Sequence, residues 1–188
     1  MNLIDNAVFD RQDFTFNLLD KAEYDNCTFT GCNFSNSDIS GILFTECTFQ
    51  DCNLSNVNTR GTAFKSVQFI NCKMLGINFS ACDSFLLEFE FKECLLNLAS
   101  FYNLKLKNTK FGKSSLREAD LSQTDFTNAS FNGCDLSGAV FDNTILEKAD
   151  LRNAQNYSID PENNRIKKAK FSIPEVTGLL NKYDINIS

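Results

Sequence analysis

The chain has 188 residues, a formal net charge of −6 and no histidine. Its length favours one compact domain, and the lack of histidine removes the Ser-His, Cys-His and zinc-His arrangements that many catalytic sites need. The negative charge argues against a surface for phosphate backbones, because these require clustered Lys and Arg. We therefore expect a protein without catalytic activity, cofactor or direct contact with nucleic acid.

The N-terminal segment carries no pattern typical of export or membrane insertion. Residues 1–5 (MNLID) lack the basic and apolar regions of a signal peptide, and no apolar run approaches the length of a membrane span. We expect a soluble cytoplasmic protein. Acidic side chains outnumber basic ones in residues 1–60, whereas basic side chains are in excess in residues 61–120. The N-terminal half is therefore the acidic end.

A large apolar residue recurs at every fifth position from Ile4 onward, and only Thr59 interrupts the series. A small residue precedes most of these centres by two positions, and glycines such as Gly31 and Gly41 follow by two. This period matches neither an α-helix nor the alternation of a β-strand, so the chain must turn once in each repeat. The centres are Ile4, Phe9, Phe14, Leu19, Tyr24, Phe29, Phe34, Ile39, Phe44, Phe49, Leu54, Phe64, Phe69, Met74 and Phe79.

Aspartate or asparagine often stands directly before a large centre. In this position we expect the side chain to accept a hydrogen bond from the backbone of the turn, which explains these residues without any functional role. The outward Asp and Asn residues, most of which stand in this position, are Asp13, Asn33, Asp38, Asn53, Asn58, Asn78, Asp83, Asp120 and Asp135.

All eight cysteines occupy the small inward position of a repeat. Free cysteine usually behaves as a small buried hydrophobe. Stacked side chains about 4.8 Å apart lie beyond the usual Cβ separation of a disulfide, and no CxxC pair is present. We therefore predict reduced, inert thiols rather than a zinc site, a disulfide set or a redox switch. The cysteines are Cys27, Cys32, Cys47, Cys52, Cys72, Cys82, Cys94 and Cys134.

The phase of the repeat slips by two residues at 83–90 (DSFLLEFE) and resumes at Leu86 or Phe91. We expect the two extra residues to bulge from one corner, where apolar side chains leave the inward frame. The favoured interpretation is a bulge that repacks its own apolar side chains, and the alternative is a patch that receives a protein partner. The predicted patch consists of Phe85, Leu87, Leu95, Leu98 and Tyr102.

A basic cluster follows the slip. Its members all map to outward positions, so the cluster is interpreted as a solvated face, with an anion or nucleic-acid contact as the alternative. It consists of Lys105, Lys107, Lys110, Lys113 and Arg117.

The repeat fades after Ala154, and a basic, polar connector (163–170, NNRIKKAK) leads to a different pattern. Ser172 and Glu175 have capping-box spacing, which predicts the start of a short α-helix. Its apolar stripe should cover the C-terminal end of the coil, whose backbone edge is otherwise unpaired. Within one domain we therefore expect repeats over 1–154 and a connector with a capping helix over 155–188. The stripe consists of Ile173, Val176, Leu179, Leu180 and Tyr183.

Three units show the repeat most clearly: residues 119–123 (ADLSQ), 129–133 (ASFNG) and 149–153 (ADLRN). They resemble the A(D/N)LXX motif of the pentapeptide-repeat family, and the resemblance extends over residues 4–154. It implies an all-β fold, a right-handed, four-sided parallel β-helix with four repeats in each of about seven to eight coils. Residues twenty apart should then stack, or twenty-two apart across the slip. One such column reads Phe9, Phe29, Phe49, Phe69, Phe91, Phe111, Phe131 and Leu151.

The resemblance also leaves two classes of function open. Family members of the quinolone-resistance type resemble B-form DNA in size, shape and negative charge, and they bind DNA gyrase or topoisomerase IV. The acidic N-terminal half fits such DNA mimicry, whereas the short loops and the basic cluster do not. The favoured hypothesis is a non-catalytic interaction scaffold with an unidentified protein partner. The alternative is a DNA mimic that binds a type II topoisomerase and modulates quinolone susceptibility. In related proteins a C-terminal helix looks like a dimer contact, so a homodimer through the apolar stripe is also expected.

Overall fold

Parallel pairing between residues twenty positions apart builds this fold. The computed structural model describes residues 2–85 and 87–187, and in it Asn2 lies beside Ala22, and Phe29 lies beside both Phe9 and Phe49. The chain thus winds into an all-β parallel solenoid of about eight turns, as the repeat predicts. The right-handed, four-sided cross-section stays a prediction.

Short strands and single-residue bridges carry the ladders. The strands of the described residues are β1 (Asn2–Asp5), β2 (Val8–Asp10), β3 (Ala22–Asp25), β4 (Thr28–Thr30), β5 (Leu43–Thr45), β6 (Thr48–Gln50), β7 (Ala63–Lys65), β8 (Val67–Ile70), β9 (Phe89–Lys92), β10 (Phe111–Gly112), β11 (Asp150–Leu151) and β12 (Lys170–Phe171). These strands form three sheets with the orders β1-β3-β5-β7, β10-β9-β8-β6-β4-β2 and β11-β12, and isolated parallel bridges continue the pairing between them.

The predicted two-residue slip is confirmed. Phe69 of β8 pairs with Phe91 of β9, whereas Phe91 pairs with Phe111 at the regular spacing. The insertion therefore enlarges one coil and leaves the register of the others unchanged. Of the two predicted points of resumption, Phe91 lies in the ladder, and Leu86 lies outside the described residues.

Most repeats turn at a residue with a left-handed backbone. Gly31 and Gly41 have φ values of 61° and 69°, and asparagine takes this position in many other repeats because it tolerates the conformation better than most residues. The predicted bond of Asp or Asn to the turn is also confirmed: the Asp13 carboxylate accepts the Thr15 backbone N–H at 2.9 Å. The same contact recurs at Asn33, Asp38, Asn53, Asn58, Asn78, Asp83, Asp120 and Asp135.

Phenylalanine rings stack in columns inside the coil. The ring centroids of Phe29 and Phe49 are 4.6 Å apart with an interplanar angle of 7°. Rings of neighbouring columns meet edge to face, as Phe44 and Phe49 do at 5.2 Å. Each buried Phe contributes about 1.5–3 kcal/mol through burial, and each aromatic pair about 0.5–1.5 kcal/mol more. The core is therefore continuous along the solenoid axis.

The predicted burial of all eight cysteines is confirmed, and all are free thiols. Seven of the sulfur atoms approach backbone carbonyl oxygens of the preceding coil, as Cys52 Sγ does to Phe29 and Cys72 Sγ to Phe49, each at 3.3 Å. Burial raises the pKa of the Cys47 thiol to about 12 and acts in the same way on Cys82 and Cys134. Within the described part of the chain, no group of three His, Cys, Asp or Glu side chains is arranged to hold a metal ion.

The ladder extends beyond the predicted boundary at residue 154. Ile145 pairs with Arg165, and Leu151 of β11 pairs with Phe171 of β12. The segment 163–170, predicted to be a connector, is therefore part of the last coil.

A polar residue explains why the repeat is hard to recognise there. Asn164 takes the small inward position and is buried. Its side chain accepts the Thr144 backbone N–H at 2.9 Å and donates to the Phe141 carbonyl at 3.1 Å. The amide thereby supplies the contacts that let a polar side chain replace an apolar one inside the coil.

The prediction of a C-terminal α-helix is wrong. The chain forms two 3₁₀ segments instead, Glu175–Leu179 and Asn181–Tyr183. The capping box does not form, because the Ser172 hydroxyl accepts the backbone N–H of Asn153 at 2.8 Å and Pro174 stands at the N-cap without a side-chain bond. Within the residues that the structure describes, no helix is long and apolar enough to span a bilayer.

The tail, residues 172–183, folds back onto the last coil. The Gly178 carbonyl accepts the Ile159 backbone N–H at 3.1 Å, and the Lys182 ammonium lies 2.7 Å from the Asp160 carboxylate. This ion pair raises the pKa of Lys182 and lowers that of Asp160. The tail thus binds one side of the C-terminal end of the solenoid.

Only part of the predicted apolar stripe is buried in this arrangement. Leu179 packs partly against the core. The other members are exposed to different degrees: Ile173 by 88%, Val176 by 39%, Leu180 by 38% and Tyr183 by 50%. Two short 3₁₀ segments do not present the single continuous face that an α-helix would have given.

Replacing Phe49 by Ala should lower the free energy of unfolding by about 3–5 kcal/mol, because it opens a cavity in the middle of the phenylalanine column. Phe49 is fully buried and stacks on Phe29 and Phe69. Chemical denaturation followed by circular dichroism measures the loss. The matched control is Phe85→Ala, because this exposed ring should cost less than about 0.5 kcal/mol. A loss near zero for Phe49→Ala would contradict the stacking.

The buried thiols should resist alkylation in the folded protein. A thiolate is the reactive form, and the pKa of about 12 at Cys47, Cys82 and Cys134 leaves almost none near neutral pH. Mass spectrometry after iodoacetamide treatment at about pH 8 should show these three cysteines unmodified in the native protein and modified in denaturant. Because these pKa values exceed the ordinary 9.0, stability should also fall as the pH rises from 9.0 towards 12. Rapid labelling of the native protein would disprove this assignment.

Candidate interaction surface

The insertion spans two points that the ladder holds in place. Before it, the Asp83 backbone N–H donates to the Thr62 carbonyl at 2.9 Å. After it, the Glu88 backbone N–H donates to the Phe64 carbonyl at 2.9 Å. The extra residues must leave the wall between these points, and Phe85 projects outward with 73% of its surface exposed.

A buried phenylalanine anchors the C-terminal side of the insertion. Phe89 pairs with Val67 and takes a column position that holds small residues in other coils. Its ring is buried, with centroids 5.0 Å from both Phe79 and Phe91. The five-residue pattern did not predict this buried position. The sequence does contain a signal for it: directly after the slip, a large aromatic residue stands two positions before the centre Phe91, where most other repeats have a small residue.

A shallow groove lies next to the insertion. Its volume is about 310 Å³, and its walls are residues 87–90 on one coil and 107–109 on the next. Leu87 packs partly against the core at its base. Glu90 and Lys110 form an ion pair of 2.7 Å beside it, which raises the pKa of Lys110. We call Phe85 together with this groove the insertion surface.

The predicted patch does not form one surface. Phe85 and Leu87 belong to the insertion, but Leu95 bridges to Ser115 on another ladder. Leu98 and Tyr102 lie further along the same coil. Successive ladders run around the solenoid, so the five residues are spread along the coil. The exposed fractions are 73% for Phe85, 47% for Leu95, 61% for Leu98 and 42% for Tyr102.

Ion pairs neutralise part of the basic cluster. Lys107 lies 3.3 Å from the Asp125 carboxylate, and Lys110 pairs with Glu90 as described above. Arg117 lies 3.9 Å from Asp135. Exposed pairs of this kind contribute little to stability, typically about 0–1 kcal/mol. Their effect here is to mix charges along the face.

The comparisons with known proteins agree with this architecture. A model of the pentapeptide repeat region matches residues 22–90 and 42–121, and a model of pentapeptide repeats in eight copies matches residues 119–155. No curated protein matches the chain.

Solved structures of other proteins share the fold. Two structures of trypsin-treated QnrB1, a plasmid-mediated fluoroquinolone resistance protein, superpose with TM-scores of 0.66 and 0.62 at 16% and 18% identity. The first match covers 100% of both chains, and the second covers 98% of this chain and 99% of QnrB1.

A third similar structure is HetL, a pentapeptide repeat protein involved in heterocyst differentiation regulation from the cyanobacterium Nostoc sp. strain PCC 7120. It has a TM-score of 0.44 and 16% identity and covers 89% of this chain and 81% of HetL. At these identities the likeness concerns the fold alone. The family models span more than half of the sequence, and their repeat is the one that the ladders and columns display. The chain therefore belongs to the pentapeptide-repeat family.

Proposed function

We propose that the chain is a non-catalytic interaction scaffold that binds a protein partner through the insertion surface. The observation that carries this proposal is Phe85, a large aromatic side chain that is 73% exposed at the break in the register. Exposed aromatic rings next to a concave surface are typical anchors of protein interfaces. Many Asp and Asn side chains of the regular wall already bond to the backbone of their own turn.

The chemistry of the insertion surface suits a protein rather than a small molecule. The groove is shallow, and its lining combines apolar Leu87 with charged Glu88 and Lys107. Protein interfaces commonly have an apolar centre with such a polar rim. Burying the exposed part of Phe85 would contribute up to about 2 kcal/mol to binding. The mixed charges would favour particular partners over others.

Substitution of Phe85 tests this proposal. Phe85→Asp should abolish capture of the partner, because it removes the apolar anchor without touching the core. Val140→Asp is the matched control, because Val140 is also apolar and 50% exposed but lies on another coil. The measurement is affinity capture with quantitative mass spectrometry, after circular dichroism has shown that both variants fold. A partner retained by wild type and Val140→Asp but lost with Phe85→Asp supports the proposal. Equal capture by all three proteins contradicts it.

A second candidate function is DNA mimicry towards DNA gyrase or topoisomerase IV, with an effect on quinolone susceptibility. The superposition on QnrB1 over the whole chain and the acidic N-terminal half favour it. The arrangement of charges favours the scaffold. Along one outward column, Asp5 and Asp25 are followed by Thr45 and Lys65, so the negative charge ends after two coils.

Supercoiling assays with purified gyrase distinguish the two functions. If the chain acts as a DNA mimic, titrating it should inhibit supercoiling or protect gyrase from a fluoroquinolone. Replacing Asp5 and Asp25 by Asn should weaken that effect, whereas Asp142→Asn near the other end should not. No effect at any concentration of the wild-type protein would exclude this second function and leave the scaffold.

A further inference from the structure

The two ends of the solenoid have unpaired strand edges. β1 and β2 are the outermost strands of their sheets at the N-terminal end, and β12 is outermost at the C-terminal end. Edge strands present backbone N–H and C=O groups that can pair with another chain. Among the described residues, the tail contacts the last coil at Asn153, Tyr157 and 159–162, and it leaves Ile166 and Phe171 partly exposed.

The partly buried core residues are concentrated at these edges. At the N-terminal end they are Ile4, Ala7 and Phe9, and at the C-terminal end they are Ile166, Ala169 and Phe171. The two sets occupy the same columns, because the ladders connect Phe9 to Phe171 through successive parallel partners. Each end thus carries the apolar surface that the opposite end would cover in a longer solenoid.

We propose that copies of this chain stack head to tail, with the first coil of one copy continuing the ladder of the last coil of another. β2 would lie beside β12 in parallel, with Phe9 on Phe171. β1 would lie beside the segment that precedes β12, with Ile4 on Ile166. The geometry repeats the ring stacking inside the chain, where neighbouring centroids from Phe9 to Phe91 in the same column lie 4.6–5.4 Å apart.

Charge decides the direction of this contact. Residues 2–10 contain Asp5 and Asp10 and no basic residue, whereas residues 163–171 contain four basic residues and no acidic one. In the continued ladder, Asp5 lies beside Lys167. Two N-terminal ends would bring acids together, and two C-terminal ends would bring bases together. Of these three arrangements of residues 2–10 and 163–171, the head-to-tail contact is the one that pairs opposite charges.

An ion pair within the chain shows that this register suits such contacts. Glu90 and Lys110 stand at equivalent positions of neighbouring coils, and they approach to 2.7 Å. Asp5 and Lys167 are both exposed. Further apolar surface flanks the proposed contact, since Phe16 is 89% exposed at one end and Ile173 is 88% exposed at the other.

Such a contact uses different surfaces on the two copies and does not close on itself. The assembly should therefore grow into linear oligomers as the concentration rises. Salt should weaken it, because the pairing charges are exposed. The homodimer expected through Val176, Leu180 and Tyr183 would instead be closed, with two copies and no further growth.

Charge reversal at the two ends tests the proposal by sedimentation velocity of the whole chain over a concentration series. Asp5→Lys alone and Lys167→Asp alone should each raise the concentration needed for half-assembly by about fivefold to tenfold. An equimolar mixture of the two variants should assemble as the wild type does, because each lysine end then meets an aspartate end. The control is Glu46→Lys, which makes the same charge change on an exposed residue of the middle coils and should not alter assembly.

Two outcomes would overturn the head-to-tail contact. One is a wild-type chain that stays monomeric throughout the series at low salt. The other is a closed dimer that neither Asp5→Lys nor Lys167→Asp affects, which would assign association to the tail. Because all three substitutions lie on exposed side chains, circular dichroism should show the wild-type fold in each variant.

Discussion

The twenty-residue register of parallel pairing is the constraint on which the rest of this structure depends. It places each side chain directly on its counterpart in the next coil, as with Phe29 on Phe49. A column must therefore hold similar shapes throughout, and a wrong size at one position affects the coils on both sides. The left-handed turn residues and the Asp or Asn side chains that bond to them keep each repeat short enough to return in register.

This constraint also explains why the insertion appears on the surface. The ladder before Asp83 and after Glu88 is held by backbone bonds to the preceding coil. Two additional residues have no place inside a close-packed column, so Phe85 is displaced outward. Phe89 fills the interior space beside it. The stacked columns inside the coil and the exposed Phe85 thus have the same origin. The break in the register is therefore the first place to look for a functional surface.

Both ends of the solenoid expose core residues, because the ladder of parallel pairing stops there. At the C-terminal end the tail covers one side of the last coil through contacts of Lys182 and the Gly178 backbone. Membership of the pentapeptide-repeat family accounts for the ladder and the columns but not for these surfaces. The fold is shared with QnrB1 at 16% identity, and a shared fold does not transfer binding residues from one protein to another. The insertion surface and the two ends belong to this chain in particular.

The amino-acid sequence by itself determined the repeat, the columns, the buried thiols and the turn-bonding carboxylates, because each depends on a period that a linear pattern records. It also placed Phe85 outward. Only the tertiary structure decided how the five patch residues are distributed, that Phe89 is buried, and that residues 163–170 continue the ladder through buried Asn164. The tail shows the physical reason most clearly. Ser172 and Glu175 have the local spacing of a helix start, but the Ser172 hydroxyl bonds to Asn153 on the neighbouring coil, and that long-range partner outweighs the local preference.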